Sequence, residues 1–398
     1  MEPGVDTRRT LPTTGVTVTR NDELARELGR VRGVSAGPTL ICVGGVHGNE
    51  PAGAFAARRV LAGLARDDGG IRGEIVALSG NLAALRLKKR YQAKDLNRQW
   101  TVARVTELAA RTDRSADDPE DMEQRELLAS IEAAIARARG DVYFMDLHTT
   151  SASGHPFVLF GDTLRQRAFA LGLPIPAIIG LEEQLDGSMS EYLTHRGCIT
   201  LAIEGGQHDD PGSIDNLEAA LWIGLAHAGM IERTRIEGEL ARSETLLHAR
   251  RGSLPRVLEV IERHAIAPED GFRMAPGFAN LDRARAGQLL AHDRNGEIRA
   301  PRDGMVILPL YQGQGEDGFF WGREVSERRL RASEALRTLE LDRVLPYLPG
   351  VERDPSHGER LIVDTRVARF YPLDVFHVFG YRRIRKAGAR MTVARQPS

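Results

Sequence analysis

The chain has 398 residues, enough for two or three domains at roughly 150 residues each. Basic and acidic residues number 54 and 55, so the net charge is −1 and lends no support to a nucleic-acid or membrane-surface role. With 42% hydrophobic and 27% charged residues, the chain has the composition of a folded globular protein rather than a disordered one.

The opening stretch Met1–Arg20 carries charges and no apolar core, so no secretory signal is expected there. The longest uncharged apolar stretches, such as Leu171–Leu181, fall short of the ~20 residues a membrane span needs. Cys42 and Cys198 each lie within an apolar run, too few for a disulfide framework, which fits a reducing, cytoplasmic location. Only four basic residues are lysines (Lys88, Lys89, Lys94 and Lys386), a bias we attribute to genomic composition.

Strands are predicted at Thr39–Val46, Glu74–Ser79, Asp141–Asp146, Pro156–Phe160 and Ile199–Glu204, from apolar runs rich in β-branched residues. Helices are predicted at Pro51–Arg66, Pro119–Arg139 and Asn216–Glu232. This alternation points to an α/β sheet with helices on both faces. Pro51 suits a first helical turn, so His47–Glu50 reads as a strand-to-helix turn, where open α/β sheets form their binding crevices. Residues 232–270 read as helical and charged. From Phe272 to Leu310, the turn pairs Pro276-Gly277, Asn295-Gly296 and Asp303-Gly304 mark a small all-β module. Gly322–Leu345 reads as helix, and Leu361–Thr365 and Val367–Tyr371 as strands. The organisation expected is a catalytic α/β domain over 1–235, a helical connection and β module over 236–345, and an extension over 346–398.

Four short features carry candidate chemistry. In Gly44-Gly45-Val46-His47-Gly48-Asn49-Glu50, an imidazole and a carboxylate on one turn can converge on a metal ion, although alone this pattern is more often a turn with a capping acid. In Asp146-Leu147-His148, a histidine leaves a buried strand and could add a third ligand, with Asp146 orienting a ligand imidazole. Glu204 closes an apolar strand and faces glycines, a suitable place for a general base. His208, Asp209 and Asp210 read as loop residues. The segment Arg90–Arg98 holds two arginines and Asn97, which suit carboxylate or oxyanion recognition.

In this order, His-x-x-Glu, Asp-x-Asn-Arg, Asp-Leu-His and a strand ending in Glu, the set resembles the succinylglutamate desuccinylase/aspartoacylase family, relatives of the zinc carboxypeptidases. The resemblance covers roughly residues 38–320. It implies a zinc carboxypeptidase-like α/β fold, a mixed sheet flanked by helices, followed by a small all-β module. It further implies one Zn2+ per chain held by His47, Glu50 and His148, with Glu204 as general base and acid. Arg90 would polarise the scissile carbonyl, Asn97 and Arg98 would clamp the substrate carboxylate, and Asp95 would support the site from beneath. The implied reaction is hydrolysis of an N-acyl amino acid or similar small amide. The implied partner is that small-molecule substrate, with no nucleic acid and no membrane; association into a homo-oligomer stays open.

Two departures bear on the substrate rather than on the zinc chemistry. Phe319 stands where aspartoacylases carry a substrate-binding Tyr, and near Thr194 the nearest arginine is Arg196. Both count against N-acetyl-aspartate or N-succinyl-glutamate. Gly313–Gly318 matches the spacing Gly-x-Gly-x-x-Gly but sits in the β module without a βαβ unit, so it reads as a loop. The basic tail Val375–Ser398 reads as a solvated segment. Two other functions fit part of the pattern: a metallocarboxypeptidase acting on peptides, and a non-catalytic zinc-binding interaction protein. Retention of Glu204 and Arg90 argues against the latter, since neither is needed to hold zinc.

Overall fold

The computed structural model describes residues 13–18, 25–66, 70–368, 373–387 and 389–395. Contacts divide the chain into two units. The first runs through Thr150 and adds Gly172–Pro174 and Ala202–Arg250; the second holds Ser151–Leu171, Ile175–Leu201 and Arg251 onward. The sequence-drawn edges at 235 and 345 therefore each fall inside a unit rather than between units.

In the first unit, the strands Thr39–Gly44 and Glu74–Ser79 are buried along their whole length, as their continuous apolar character requires. Thr39–Gly44 pairs in parallel with Glu74–Ser79 on one side and with Val142–Thr150 on the other. Glu27–Gly33 adds antiparallel to Glu74–Ser79, and Thr13–Val18 adds antiparallel to Glu27–Gly33. Ile199–Gln207 neighbours Val142–Thr150. The sheet is thus mixed, flanked by the helices Ala52–Arg66, Pro119–Arg137 and Gly212–His227. The parallel register sets the ends of Thr39–Gly44 and Val142–Thr150 side by side, with Gly44 opposite Leu147. His47 and His148 both lie just beyond that level.

The second unit holds short parallel strands, Phe157–Leu159 and Ala177–Ile179, the latter parallel to Val257–Ala265. Antiparallel strands Asp317–Glu324, Gly304–Ile307 and Asp282–Ala284 continue that order. A three-stranded sheet (Arg273–Met274, Leu289–Asp293, Gly296–Arg299) and a four-stranded sheet (Val351–Asp354, His357–Asp364, Arg390–Arg395, Tyr381–Ala387) complete it.

Several sequence expectations are corrected. Residues 232–270 form the helix Glu237–Arg251 but then the strand Val257–Ala265. The charged residue that disguises this strand, Glu259, is buried because Arg323 and His377 neutralise it. Gly322–Leu345 begins as the end of a strand, and its helix spans Glu327–Thr338, capped by Ser326. Gly313–Gly318 leads directly into that same strand rather than into a helix. Val367 lies in a turn, and residues 369–371 of the expected Val367–Tyr371 strand fall outside the described residues. So do most of Met1–Arg20 and the last three residues of the basic tail.

Candidate metal and catalytic site

Every site residue selected from the sequence lies in the first unit. The His47–Glu50 turn closes tightly, with the Glu50 amide donating to the His47 carbonyl at 3.0 Å. Gly48 lets this turn press onto the segment that follows the helix Leu82–Leu87. A Cβ there would stand 2.2 Å from the Ala84 carbonyl oxygen and 2.4 Å from that of Lys89, closer than real side chains come. The Gly48 amide donates to the Arg90 carbonyl at 3.1 Å, so the turn and the arginine segment are joined backbone to backbone.

The Glu50 carboxylate sits between two imidazoles. Its Oε1 is 2.9 Å from His47 Nδ1, and its Oε2 is 3.1 Å from His148 Nδ1 and accepts the Thr149 amide at 3.1 Å. All three residues are buried, and their donor atoms lie within 4.8 Å of one another. His47 Nε2 is 3.1 Å from Asp95 Oδ1, and His148 Nε2 is 3.0 Å from Asp146 Oδ2. A proton on each Nε2, facing its carboxylate, leaves an Nδ1 lone pair facing Glu50. Three electron-pair donors then converge on one point, which is the arrangement a divalent cation with nitrogen and oxygen preference satisfies. The residues present fit a zinc-type ion, and the Asp–His contacts are the outer supports such ligands use.

Charge follows the same pattern. Burial opposes ionisation of Glu50, but the facing His47 and His148 hold its carboxyl well below the usual range. Burial likewise opposes ionisation of Asp95, which His47, Arg90 and Arg98 hold well below its ordinary value. Burial would lower His148, yet Asp146 and Glu50 raise it well above its ordinary value.

The Arg90 guanidinium is 3.0 Å from Asp95 Oδ2 and 3.5 Å from Glu50 Oε1. Asp95 also caps the short turn Leu96–Arg98, accepting the Asn97 amide at 2.8 Å. The Asn97 side-chain amide is 3.4 Å from His148 Nε2, and Arg98 donates to the Asn97 carbonyl at 3.1 Å. Glu204 lies on Ile199–Gln207, buried, with no hydrogen-bond partner on Oε2 among the described residues. Burial pushes its carboxyl up to about 8; His148 and Arg90 pull against that, while Glu50 and Asp146 add to it. A buried carboxyl poised near neutrality suits proton transfer in both directions.

Residues 36–219 match the family model described as the succinylglutamate desuccinylase/aspartoacylase catalytic domain. Residues 36–219 are thus similar to that catalytic domain. Solved structures agree on the fold. A succinylglutamate desuccinylase/aspartoacylase from Rhodobacter sphaeroides is 19% identical with a TM-score of 0.55, covering 75% of this chain and 89% of the other. The product-bound ectoine utilization protein EutE (DoeB) from Ruegeria pomeroyi is 21% identical with a TM-score of 0.53, covering 74% and 88%. The succinylglutamate desuccinylase from Chromobacterium violaceum is 18% identical with a TM-score of 0.51, covering 75% and 90%. No curated protein matches at a significant level. No helix among the described residues is long and apolar enough to cross a membrane.

Sequence reasoning missed three side chains around this site. Glu120 accepts backbone amides of the arginine segment, and Glu123 accepts the Leu82 and Ala83 amides at 3.0 and 2.9 Å. Acids in or just after a first helical turn are so common that neither stood out. His208, read as a loop residue, contacts the Thr149 hydroxyl through Nδ1 at 2.8 Å.

Within the second unit, Phe319 is a core residue stacked on His264 at 5.0 Å between ring centroids. Arg196 contacts Tyr192, its guanidinium 3.2 Å from the phenolic oxygen. A second His/carboxylate group, Glu259, Asp374 and His377, has donor atoms equally close together. Arg323, Arg329 and Arg382 stand 2.7, 3.4 and 3.7 Å from Glu259, so guanidinium groups already neutralise it.

Proposed function

We propose that this protein is a zinc-dependent amidohydrolase that cleaves the amide of an N-acyl amino acid or a similar small amide. The observation carrying this is the convergence of His47 Nδ1, Glu50 and His148 Nδ1, each imidazole backed by a carboxylate on its other nitrogen. His47, Glu50 and His148 would hold the zinc, which when bound acidifies water and polarises the scissile carbonyl.

Glu204 takes a proton from the attacking water at its carboxylate and returns it to the leaving amine nitrogen. Its raised pKa makes the second transfer favourable without preventing the first. Arg90 offers a fixed positive charge to the oxygen that becomes anionic, and Asp95 holds that guanidinium in place. Asn97 and Arg98 bind the carboxylate of the amino-acid half. Asp95 and Asp146 keep the protons of His47 and His148 on Nε2, so that Nδ1 is left as donor. The products are a carboxylic acid and an amino acid. A cytoplasmic setting accords with two buried, free cysteine thiols.

The test combines metal analysis with turnover. Wild-type protein should carry about one zinc per chain and His47→Ala little. Wild type should release free amino acids from a panel of N-acyl amino acids. Preferential cleavage of C-terminal residues from longer peptides would favour a carboxypeptidase instead. Zinc binding with no hydrolysis of any amide, together with a stable protein partner, would favour a non-catalytic role.

A further inference from the structure

Glu120 is fully buried in the first turn of the helix Pro119–Arg137. Its Oε1 accepts the Gln92 amide at 2.8 Å and the Asn81 side-chain amide at 3.1 Å. Its Oε2 accepts the Ala93 amide at 2.9 Å and the Lys94 amide at 3.4 Å. Four N–H groups converge on one carboxylate, and all come from two segments that carry the site. Residues 92–94 lie between Arg90 and the Asp95-Leu96-Asn97-Arg98 turn. Asn81 belongs to the turn whose amides at Gly80 and Asn81 donate to the Gly44 and Gly45 carbonyls at 2.9 and 2.8 Å, just before His47.

We infer that Glu120 is a positioning residue for the reaction, fixing the Arg90–Arg98 segment in register with the His47 turn. This rests on the function proposed above, in which Asn97 and Arg98 recognise the substrate carboxylate. The physical reason is that only an ionised carboxylate offers acceptors on both oxygens. A glutamine keeps the shape but turns an NH2 donor toward N–H donors, so one pair of contacts becomes repulsive. The segment would then shift, and small displacements of positioning groups cost large factors in rate. Helix and segment are also tied outside the site, since Lys94 pairs with Asp118 and Asp121, so the helix itself survives the change.

The test compares two substrates, an N-acyl amino acid and its C-terminal primary amide, in wild type, Glu120→Gln and Glu123→Gln. The ratio of kcat/KM between the two substrates is independent of how much protein is folded. In Glu120→Gln this ratio should fall about tenfold or more, with zinc content retained. Hydrogen exchange at Gln92–Lys94 should rise in the same variant. Glu123→Gln, which loses the acceptor for one of the Leu82 and Ala83 amides instead, should lose stability but keep the ratio. An equal loss on both substrates in Glu120→Gln, or unchanged exchange at 92–94, overturns the inference. If wild type hydrolyses neither substrate, the proposed function fails, and the exchange measurement by itself decides whether Glu120 anchors the segment.

Discussion

Asp146→Asn isolates the support behind one proposed metal ligand, His148. Asp146 is 1% exposed, and its only close partner among the described residues is His148 Nε2 at 3.0 Å. An asparagine keeps the size and can still accept that N–H, but it removes the negative charge that makes His148 Nδ1 a stronger electron-pair donor. Loss of such a support weakens metal affinity by roughly 10–100-fold, which is about 1.4–2.7 kcal/mol. Stabilisation by excess zinc should shrink by the same amount, since binding to the native state adds RT ln(1 + [L]/Kd). The metal-free protein should respond differently. There Asp146 is the buried partner that holds a proton on His148, so its neutralisation should lower the metal-free melting temperature most at low pH, where His148 is protonated, and less as pH rises. The pH dependence follows from the raised His148 pKa. Asp146 holds a proton on His148 that an incoming cation must displace, which partly offsets the benefit of its charge at low pH. The offset disappears as pH rises through the His148 titration, so the affinity loss in Asp146→Asn should grow with pH. The assay is competition for zinc against a chromophoric chelator at several pH values, with thermal melts with and without zinc. A zinc affinity within twofold of wild type across that range would refute the reasoning.

Three further outcomes are expected. Glu204→Gln should lower kcat by about 10²–10⁴-fold with zinc content and KM little changed, read by steady-state kinetics beside metal analysis. Gly48→Ala should cost on the order of 3 kcal/mol and lose zinc, because the new Cβ meets the Ala84 and Lys89 backbone, which cannot rotate away; denaturant melts and metal analysis check this. His377→Gln should narrow its stability deficit as pH rises. Burial lowers the His377 pKa, but Glu183 and Glu259 override it and raise it above the ordinary 6.5. A raised folded value contributes stability that is complete below about 6.5 and lost as pH climbs through it, so the difference in Tm from wild type should be larger at pH 6 than at pH 9.

Three residues of the candidate site were legible because they stand where an apolar strand meets polar chemistry: His47 after Thr39–Gly44, His148 and Glu204 within their strands near the ends. The strand containing His148 was expected to stop at Asp146, yet it runs to Thr150. His148 and Thr149 find partners in Glu50 and His208, so polarity there does not mean solvent. The same principle hid the strand Val257–Ala265. Its Glu259 and Arg263 look like a solvated helix face, and their partners Arg323 and Asp317 lie far along the chain, where local pattern carries no information. Glu120 was illegible for a different reason. Three of its four partners are backbone amides, which every residue has, so little elsewhere in the sequence signals them.

Electrostatics joins the site residues into a single argument. Glu50, Asp146 and Glu204, all buried, and the largely buried Asp95 place four carboxyl groups around two imidazoles. Arg90 is the guanidinium in contact with two of them, Asp95 and Glu50. One arginine cannot balance that many buried acids, because the low-dielectric interior penalises each uncompensated charge. Protonation of Glu204 removes one charge, and a divalent cation at the His47–Glu50–His148 point removes two more. What remains is close to neutral, so a substrate bringing its own carboxylate needs a fresh positive charge rather than a share of Arg90. In the function proposed above, Arg98 on the same segment as Arg90 is the group that supplies it. Removing Arg98 should therefore raise KM for carboxylate-bearing amides while leaving kcat largely intact, and a matching fall in kcat would show that the two arginines share one role.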